Sequence, residues 1–370
     1  MKLLIFHTGL SIEEYKRFFA LIEKLNYELI GFTSLNLDDN FKILEGYTIY
    51  PADAVVMLKF DKILIDNLNF DQIATFKQIF SNLGVPPEKT SSIYWLVQQA
   101  MTMKYEDFPD SAIQETLTYW KNHELNVFNQ HTAGFPPTMD EVHVDESCGL
   151  PYINFKTVEG KERRMYYPKN TGFFQAENGK SYVHNVLIEQ VPNSPHLYIK
   201  DDHKVEEGDV LIDAGVCEGN FALRYVDICA KVYLLEPDRN WFEPLYYSFR
   251  DCWNKIDFIP RFVGEFTRGS LVALDDVVNV PIGSRIFLKM DVEGAEPAAL
   301  RGAKKILSTN KVKASICSYH NADDLIKIKS IFKNLGYKTG TSEGYMVFIH
   351  DYKFLETLDF RKGIVYAKNY

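Results

Sequence analysis

The sequence lacks paired cysteines and long apolar runs, and both absences remove classes of protein. The five cysteines contain no Cys-x-x-Cys pair, so neither a disulfide framework nor a zinc knuckle is predicted. Reduced thiols of a cytoplasmic protein are expected instead. The apolar run at residues 3–6 is too short for a signal peptide, and no stretch is long enough to cross a bilayer.

A run of basic residues is also missing. The chain carries 41 Lys and Arg against 50 Asp and Glu, a formal net charge of −9. A nucleic-acid substrate ordinarily requires a basic face that neutralises phosphates, so nucleic acid is not an expected partner. Apolar residues, in contrast, make up 46% of the 370 residues, which is enough material for two domains.

The first part of the chain, residues 1–92, alternates strand and helix signals as a small α/β domain does. Ser11 and Glu14 form a capping box at the start of its first helix. The predicted strands are residues 3–6, 28–32 and 62–65, and the second helix is residues 71–83. Residues 93–133 form a helical linker, with helices over residues 93–103 and 111–128. A breaker at residues 134–138 marks the domain boundary.

The remainder divides into a β-rich lead-in, residues 134–199, and a strongly alternating domain, residues 200–370. The lead-in contains a hairpin with its turn at residues 159–161. In the domain, the predicted strands are residues 210–213, 231–235, 257–263, 285–290 and 313–318. Its predicted helices are residues 220–229, 239–252, 297–307 and 323–335. Residues 345–350 and 363–367 are predicted to close the sheet as an antiparallel pair. The pattern indicates a doubly wound, mostly parallel sheet with an antiparallel edge.

A glycine-bearing turn follows the first strand of this domain. Asp213 stands at the carboxyl end of the strand, where open α/β sheets bind ligands. Gly215 and Gly219 let the backbone approach a ligand, and the helix from Asn220 presents free N–H groups. An acid inside the loop, Glu218, disfavours a pyrophosphate and favours a cationic, amino-acid-bearing cofactor. An idle turn between strand and helix is the alternative.

An acid also ends the next strand. Glu236 lies 21 residues after Gly215, the offset at which an acid accepts hydrogen bonds from ribose hydroxyls. The segment could instead be only a turn that starts a helix. Because the glycine loop lies at the right distance, we assign Glu236 and Pro237 to the cofactor site.

Three carboxylates follow the fourth strand, at Asp291, Glu293 and Glu296. Pro297 predicts that a helix starts there, and a helix N-terminus favours charged carboxylates. Glu293 is therefore assigned to the cofactor site, whereas helix capping is the alternative for Glu296. Asp291 is the stronger functional candidate.

A histidine, His320, follows the fifth strand at the same edge. It titrates near neutrality and could take the proton of a hydroxyl; an ion pair with a nearby aspartate at the helix entry is the alternative. Asp275 and Asp276 could join Asp291 around a metal ion. Two acids on a loop are usually only solvated, so no metal site is predicted.

Several segments together resemble the FkbM-type S-adenosylmethionine (SAM)-dependent methyltransferases, over about residues 185–370. The segments are Asp-Val-Leu-Ile-Asp-Ala-Gly-Val-Cys-Glu-Gly-Asn-Phe (209–221), Leu-Glu-Pro-Asp (235–238), Leu-Asp-Asp (274–276), Leu-Lys-Met-Asp-Val-Glu-Gly-Ala-Glu (288–296), Leu-Arg-Gly-Ala (300–303) and Tyr-His (319–320). One residue departs from the family pattern: Cys217 stands where a small or aromatic residue is expected.

The resemblance implies a class I (Rossmann-like) methyltransferase fold with SAM as cofactor. It places Asp213, Gly215 and Glu218 at the methionine end of SAM. It places Glu236 at the ribose and Asp291 near the transferred methyl group. It also implies methyl transfer to oxygen, often on sugars or natural products.

The N-terminal domain resembles the small Rossmann-like domains of bacterial sugar-modifying enzymes. Gly9 is the single glycine in the turn after its first strand, so no phosphate cradle is predicted. We expect this domain to serve substrate docking or homo-oligomer formation, with a purely structural role as the alternative.

The sequence therefore predicts SAM-dependent O-methylation of a small-molecule or glycan hydroxyl, in the first place a sugar of a surface polysaccharide or its precursor. His320 is the first candidate for the general base and Asp291 the second. A nicotinamide-dependent oxidoreductase is an alternative, because a glycine loop with a strand-end acid also serves that cofactor. A non-catalytic SAM-binding or scaffold module is another.

Overall fold

The computed structural model describes residues 1–135, 142–169, 187–349 and 351–370, which fall into two compact units. Unit 1 consists of Met1–Gln130 and Val347–Phe360, and unit 2 of His131–Met346 and Arg361–Tyr370. Residues 93–130 thus belong to unit 1, where the sequence predicted a separate linker. No helix in the described residues is long and apolar enough to span a membrane.

Unit 1 is an α/β domain around a sheet of six strands. The strands are β1 (Lys2–Phe6), β2 (Glu28–Ser34), β3 (Ile43–Leu44), β4 (Tyr47–Pro51), β5 (Lys62–Ile65) and β6 (Thr90–Ser92). The helices are α1 (Ile12–Lys24), α2 (Phe70–Asn82), α3 (Ile93–Tyr105) and α4 (Ser111–Tyr119), with a short helix Phe354–Thr357 from the returning segment. The strand order is β3-β4-β2-β1-β5-β6. β1 lies between parallel neighbours because its apolar run is buried on both faces.

The capping box at the start of α1 is confirmed, since Ser11 and Glu14 exchange side-chain to backbone hydrogen bonds. The strands β3, β4 and β6 were not predicted. They are short and lie at or next to the two edges of the sheet, where little apolar alternation is required.

Unit 2 contains a sheet of seven strands in the order β12-β11-β10-β15-β16-β18-β17. These are β10 (Val210–Ala214), β11 (Lys231–Leu235), β12 (Ile256–Ile259), β15 (Arg285–Met290), β16 (Lys311–Cys317), β17 (Lys338–Thr341) and β18 (Ile364–Lys368). The first five strands in this spatial order (β12, β11, β10, β15 and β16) are parallel to one another. β18 is antiparallel to both of its neighbours. The predicted doubly wound, mostly parallel sheet with an antiparallel edge is confirmed.

Helices cover this sheet, and shorter strands flank it. The helices are α5 (Asn220–Tyr225), α6 (Phe242–Phe249), α7 (Leu274–Val277), α8 (Glu296–Arg301), α9 (Lys304–Thr309) and α10 (Asp324–Asn334). The flanking strands are β7 (His143–Val144), β8 (Pro151–Lys156), β9 (Glu162–Tyr166), β13 (Phe262–Val263) and β14 (Leu271–Val272). β8 and β9 form the predicted hairpin. The breaker residues 136–138 and residues 170–186 of the lead-in lie outside the described residues.

Several predicted elements of unit 2 differ from the structure. The helix predicted at 220–229 ends at Tyr225. Residues 345–349 do not form the closing strand; Met346 makes an isolated bridge to Arg361, and β18 pairs with β17 instead. The predicted helix 297–307 is interrupted at Gly302, whose carbonyl accepts the N–H of Asp275 at 2.9 Å. Glycine is required at this position because a Cβ would lie 2.2 Å from the carbonyl oxygen of Gly264. The predicted strand 257–263 ends before Pro260, which has no N–H to donate. The single helix predicted at 239–252 is the shorter α6 between 3₁₀ turns.

The register of three neighbouring strands decides where the functional residues lie. The last residues of β10, β11 and β15 pair directly across the sheet. The chain continues from these three ends with Gly215, Glu236 and Asp291. Since the carboxyl ends of parallel strands meet at one edge, the three predicted motifs lie side by side. Beneath them, fully buried apolar residues such as Ile212, Leu288 and Ile316 form the core.

Candidate functional site

The glycine loop after β10 is locked to both neighbouring strand ends. The N–H of Gly215 donates to the carbonyl of Leu235 at 3.0 Å, and the N–H of Asp291 donates to the carbonyl of Ala214 at 2.9 Å. The N–H of Cys217 donates to Oε2 of Glu236 at 2.8 Å. The loop is therefore held in place by the very strands whose ends carry the other two motifs.

Gly215 allows the closest of these approaches. Its φ is +78°, and an added Cβ would lie 1.6 Å from the carbonyl oxygen of Asp291. The glycine is thus required by the protein's own backbone. Gly219, at φ +81°, has the side chain of Leu245 only 2.9 Å from the position of an added Cβ. Asn220 begins helix α5 directly after it.

Two buried carboxylates border this loop. Glu236 accepts hydrogen bonds from the N–H groups of Cys217 and Asp238, so its orientation is fixed while further lone pairs remain for hydroxyl donors. Pro237 follows it, half-buried. Glu218 is 5% exposed, and burial raises the pKa of its carboxyl to about 7. Carboxylates of this kind suit hydroxyl groups and a cationic ligand.

The sequence placed Asp213 at the cofactor, but in the structure its carboxylate is paired with a lysine. Its carboxylate is buried and pairs with Nζ of Lys289 at 3.0 Å, and Lys289 also donates to the carbonyl of Gly215. Although burial opposes the ammonium, the charges of Asp213 and Asp291 raise the pKa of Lys289 above its ordinary range. Asp213 therefore anchors the glycine loop through Lys289, a residue that strand periodicity alone marks only as part of β15.

Asp291 is the centre of a polar cluster. Its carboxylate accepts a hydrogen bond from the hydroxyl of Tyr198 at 2.9 Å and one from Tyr319 at 3.3 Å. Nε2 of His196 lies 3.5 Å from Oδ2, and Nε2 of His320 lies 3.4 Å from Oδ1. Each oxygen of Asp291 thus faces one imidazole.

Each of the two histidines is backed by a glutamate on its far side. Nδ1 of His196 lies 3.4 Å from Glu189, which is 33% exposed. Nδ1 of His320 lies 3.0 Å from Glu296, which is fully buried. The five residues form a chain from Glu189 through His196, Asp291 and His320 to Glu296.

The ionisation of this chain follows from its geometry. Burial works against both imidazolium ions. Hydrogen bonds to Asp291 and Glu189 nevertheless raise the pKa of His196 to about 9. The hydrogen bond to Glu296 and the charge of Asp291 raise the pKa of His320. Conversely, burial is outweighed at Asp291, whose pKa is held far below its ordinary value by His196 and Lys289. A carboxylate so strongly stabilised in its charged form is a poor proton acceptor.

The remaining assigned carboxylate, Glu293, lies at the rim. It is 74% exposed with Oε2 3.5 Å from Nε2 of His320, and its φ is +54°. Helix α8 starts only at Glu296, so Glu293 precedes the helix rather than lying in its first turn. The N–H of Val292 donates to Glu296 at 2.9 Å, which makes Glu296 both a cap of this turn and the partner of His320.

Some side chains of this cluster lie close enough together to ligate a metal ion. Two triads have ligand atoms within 4.8 Å of one another: His196 with Asp291 and Cys317, and Asp291 with Glu296 and His320. Asp275 and Asp276 are engaged elsewhere. Asp275 accepts from two backbone N–H groups at the start of α9, and Asp276 accepts from Thr267.

Sequence reasoning missed part of the cluster. His196 and Tyr198 precede β10 in a segment without periodicity, and their proximity to Asp291 depends on tertiary structure. Tyr319 could have been found, since it stands beside His320 at the end of β16. Cys317, the last residue of β16, lies 3.5 Å from Nε2 of His196, and burial raises the pKa of its thiol well above the ordinary value.

Comparison with known proteins accords with this geometry. Residues 165–339 match the methyltransferase FkbM domain, and residues 1–90 match the C2185-like N-terminal domain. No curated protein matches the chain. Methyltransferase FkbM from Methylobacillus flagellatus KT is similar over 100% of this chain and 90% of that chain, with 16% identity and a TM-score of 0.42. Magnesium protoporphyrin IX methyltransferase (ChlM) from Synechocystis PCC 6803, with bound SAM, is similar over 44% of this chain and 71% of that chain, with 13% identity and a TM-score of 0.29.

Residues 165–339 are therefore an FkbM methyltransferase domain, and the sheet of unit 2 has the class I (Rossmann-like) arrangement that the sequence predicted. Its cofactor is SAM. The residues present fit this cofactor, because the buried carboxylates of Glu218 and Glu236 offer acceptors to an ammonium group and to ribose hydroxyls.

Proposed function

We propose that this FkbM methyltransferase domain methylates a hydroxyl oxygen of a sugar, in a surface polysaccharide or its precursor. The observation that carries the proposal is the position of His320, which follows β16 and lies 3.4 Å from Asp291, the residue that follows β15 beside the glycine loop. The net charge of −9 supports a glycan rather than a nucleic acid as the acceptor.

In this proposal, Glu236 holds the ribose of SAM, and Glu218 together with the glycine loop holds its methionine end. Bound SAM supplies the methyl group as an electrophile on a sulfonium. The protein mainly aligns the acceptor oxygen with that methyl group and excludes water. Asp213 and Lys289 contribute by fixing the loop.

The acceptor hydroxyl must lose a proton, and His320 is the proposed acceptor of it. Glu296 accepts the Nδ1–H of the imidazole, which leaves Nε2 free of a proton in the neutral tautomer and directed to the side where Asp291 lies. Asp291 orients this ring and is not itself the base. Only the neutral imidazole can take up a proton, and the pKa of His320 is raised. Turnover should therefore rise with pH above the ordinary histidine value.

The direct test is incubation of the protein with methyl-labelled SAM and fractionated cell glycans. We expect label in carbohydrate. His320→Gln should lower kcat by about 100-fold or more with little change in SAM affinity. His203→Gln is a control, because the side chain of His203 is also buried but faces Ser315.

Two results would contradict the proposal. Near wild-type turnover of His320→Gln across the pH range would remove His320 as base. Intact SAM binding without label in any glycan fraction would contradict the sugar acceptor and favour a non-catalytic module.

A further inference from the structure

A polar cleft of about 410 Å³ lies in unit 2 between the β8–β9 hairpin and helix α6. The residues assigned above to the cofactor and to the reaction do not line it. Three arginines and two tyrosines do, together with smaller polar groups. Although the protein has an excess of acidic residues, three guanidinium groups lie together in this cleft.

One of these arginines only builds the wall. Arg163 is 7% exposed and bonds both oxygens of Asp227, at 2.5 and 3.3 Å. Arg164 is different, since 46% of its side chain is exposed while one edge contacts Asp145 at 3.0 Å. Its guanidinium lies over the ring of Tyr152, 4.5 Å from the centroid, which fixes its plane.

Arg250 is the most available cation. Its side chain is 43% exposed, and its ion-pair partner Asp251 lies 3.8 Å away and is itself 73% exposed. An exposed pair of this kind contributes little and is easily exchanged. The guanidinium lies 6.0 Å from the centroid of the Tyr247 ring. The cleft therefore combines a weakly paired, exposed cation with an aromatic face.

We infer that this cleft binds the acidic group of an acidic sugar, either a carboxylate or a phosphate. Arg164 and Arg250 match the planar, bidentate geometry of such groups, and Tyr247 offers an apolar face to a sugar ring. Glu162 and Asp251 also line the cleft; they accept bonds from sugar hydroxyls but repel a continuous phosphate backbone, which disfavours a nucleic acid. The inference rests on the proposed glycan acceptor and narrows it to an acidic glycan.

The hairpin connects this cleft to the cofactor loop. Tyr166 lines the cleft, and its N–H donates to Oγ of Ser248 at 2.9 Å. The next residue, Tyr167, is fully buried; burial and the charge of Glu218 raise the pKa of its hydroxyl. Within two residues the chain passes from the cleft to the cofactor loop. The hairpin that forms one wall of the cleft therefore continues directly to a residue that responds to the charge of the cofactor loop.

The test is calorimetric titration of the full-length protein with tri-galacturonate and, separately, with glucose 1-phosphate. Maltotriose serves as the neutral sugar and a short oligonucleotide as the other polyanion. The variants are Arg250→Gln alone and together with Arg164→Gln. Because Arg164 also holds Asp145, the single variant keeps the test valid if the double variant is unstable. Arg301→Gln is the matched control, since that arginine is 49% exposed and ion-paired outside the cleft.

We expect saturable binding of at least one acidic sugar and no binding of maltotriose. Arg250→Gln should weaken the acidic sugar at least tenfold and leave the affinity for S-adenosylhomocysteine (SAH) unchanged, and Arg301→Gln should change neither. The acidic probe that binds more tightly identifies the group as carboxylate or phosphate.

Three results would overturn the inference. Protein that binds SAH could bind neither acidic sugar, Arg250→Gln could bind both with wild-type affinity, or the oligonucleotide could bind more tightly through the same arginines. Failure of the proposed function would show separately, as absence of label transfer to glycans.

Discussion

Both units place a loop and polar residues at the carboxyl edge of a parallel sheet, but they use this edge differently. In unit 1 the edge residue Asp66, after β5, is satisfied by the protein itself. Its side chain accepts from Tyr15 and from the N–H of Thr8 at 3.0 Å, and its carbonyl accepts from Tyr352 of the returning segment at 2.7 Å. The edge of unit 1 is thus closed by internal hydrogen bonds.

In unit 2 the same edge gathers several carboxylates and two imidazoles. Asp291, His196 and His320 form one chain with two glutamates, and Glu218 and Glu236 border the neighbouring loop. A doubly wound sheet alone therefore does not make a functional site. The chemistry depends on which residues directly follow the strands.

We expect the largest difference between the units when the glycine in the turn after the central strand of each sheet is substituted. A matched pair of substitutions tests this difference. Gly215→Ala places a Cβ 1.6 Å from a carbonyl oxygen, so we expect loss of SAH binding and severe destabilisation of unit 2. Gly9→Ala in unit 1 meets no atom within 4 Å and only the strain of its φ of +103°, at a cost of about 1 kcal/mol. Amide hydrogen exchange in β10 and β1 measures both. Equal effects of the two substitutions would contradict the account.

The buried ion pair of unit 2 gives the next largest effect. Lys289→Met leaves Asp213 charged, buried and uncompensated, so the free energy of unfolding of unit 2 should fall by about 3–5 kcal/mol. Lys62→Met is the control in unit 1: this lysine starts β5, donates to the carbonyl of Glu88 at 2.8 Å, and should cost less than about 1 kcal/mol. Hydrogen exchange in β10 for the first variant and in β5 for the second is the readout. Wild-type protection in Lys289→Met would show that the pair does not hold the loop.

The smallest effect concerns pH and unit 1. Burial raises the pKa of Asp66 to about 6, despite hydrogen bonds from Thr8 and Tyr15. A raised pKa means that the folded state holds the proton more tightly, so stability is highest at low pH and falls as pH rises from about 4 to about 6. Asp66→Asn should remove this slope, which is at most about 1.4 kcal/mol per pH unit. Exchange protection in β5, corrected for intrinsic rates, would show the same slope in the variant if Asp66 were not its source.

The contrast between the units also explains what the sequence could predict. Continuous apolar runs identified β10, β11 and β15 nearly residue for residue, because buried parallel strands have a strong signal. The glycine loop, Glu236 and Asp291 followed from their places after those strands, and His320 from its place after β16. Tertiary contacts could not be predicted: β18 pairs with β17 rather than with residues 345–349, and the carbonyl of Gly302 accepts from Asp275 where the helix was predicted to continue. His196 and Tyr198 joined the site from an irregular segment for the same reason.

We propose above all that the glycine loop and Glu236, the strand-end acid of unit 2, bind SAM. Calorimetric titration of SAH into the wild-type protein and into Glu236→Gln tests it most directly, with Glu207→Gln as the control because Glu207 is exposed and outside the site. We expect one binding site per chain in the wild type and the control, and an affinity about tenfold weaker in Glu236→Gln, the loss of one charged hydrogen bond. Absence of SAH binding to the folded wild-type protein would contradict the account.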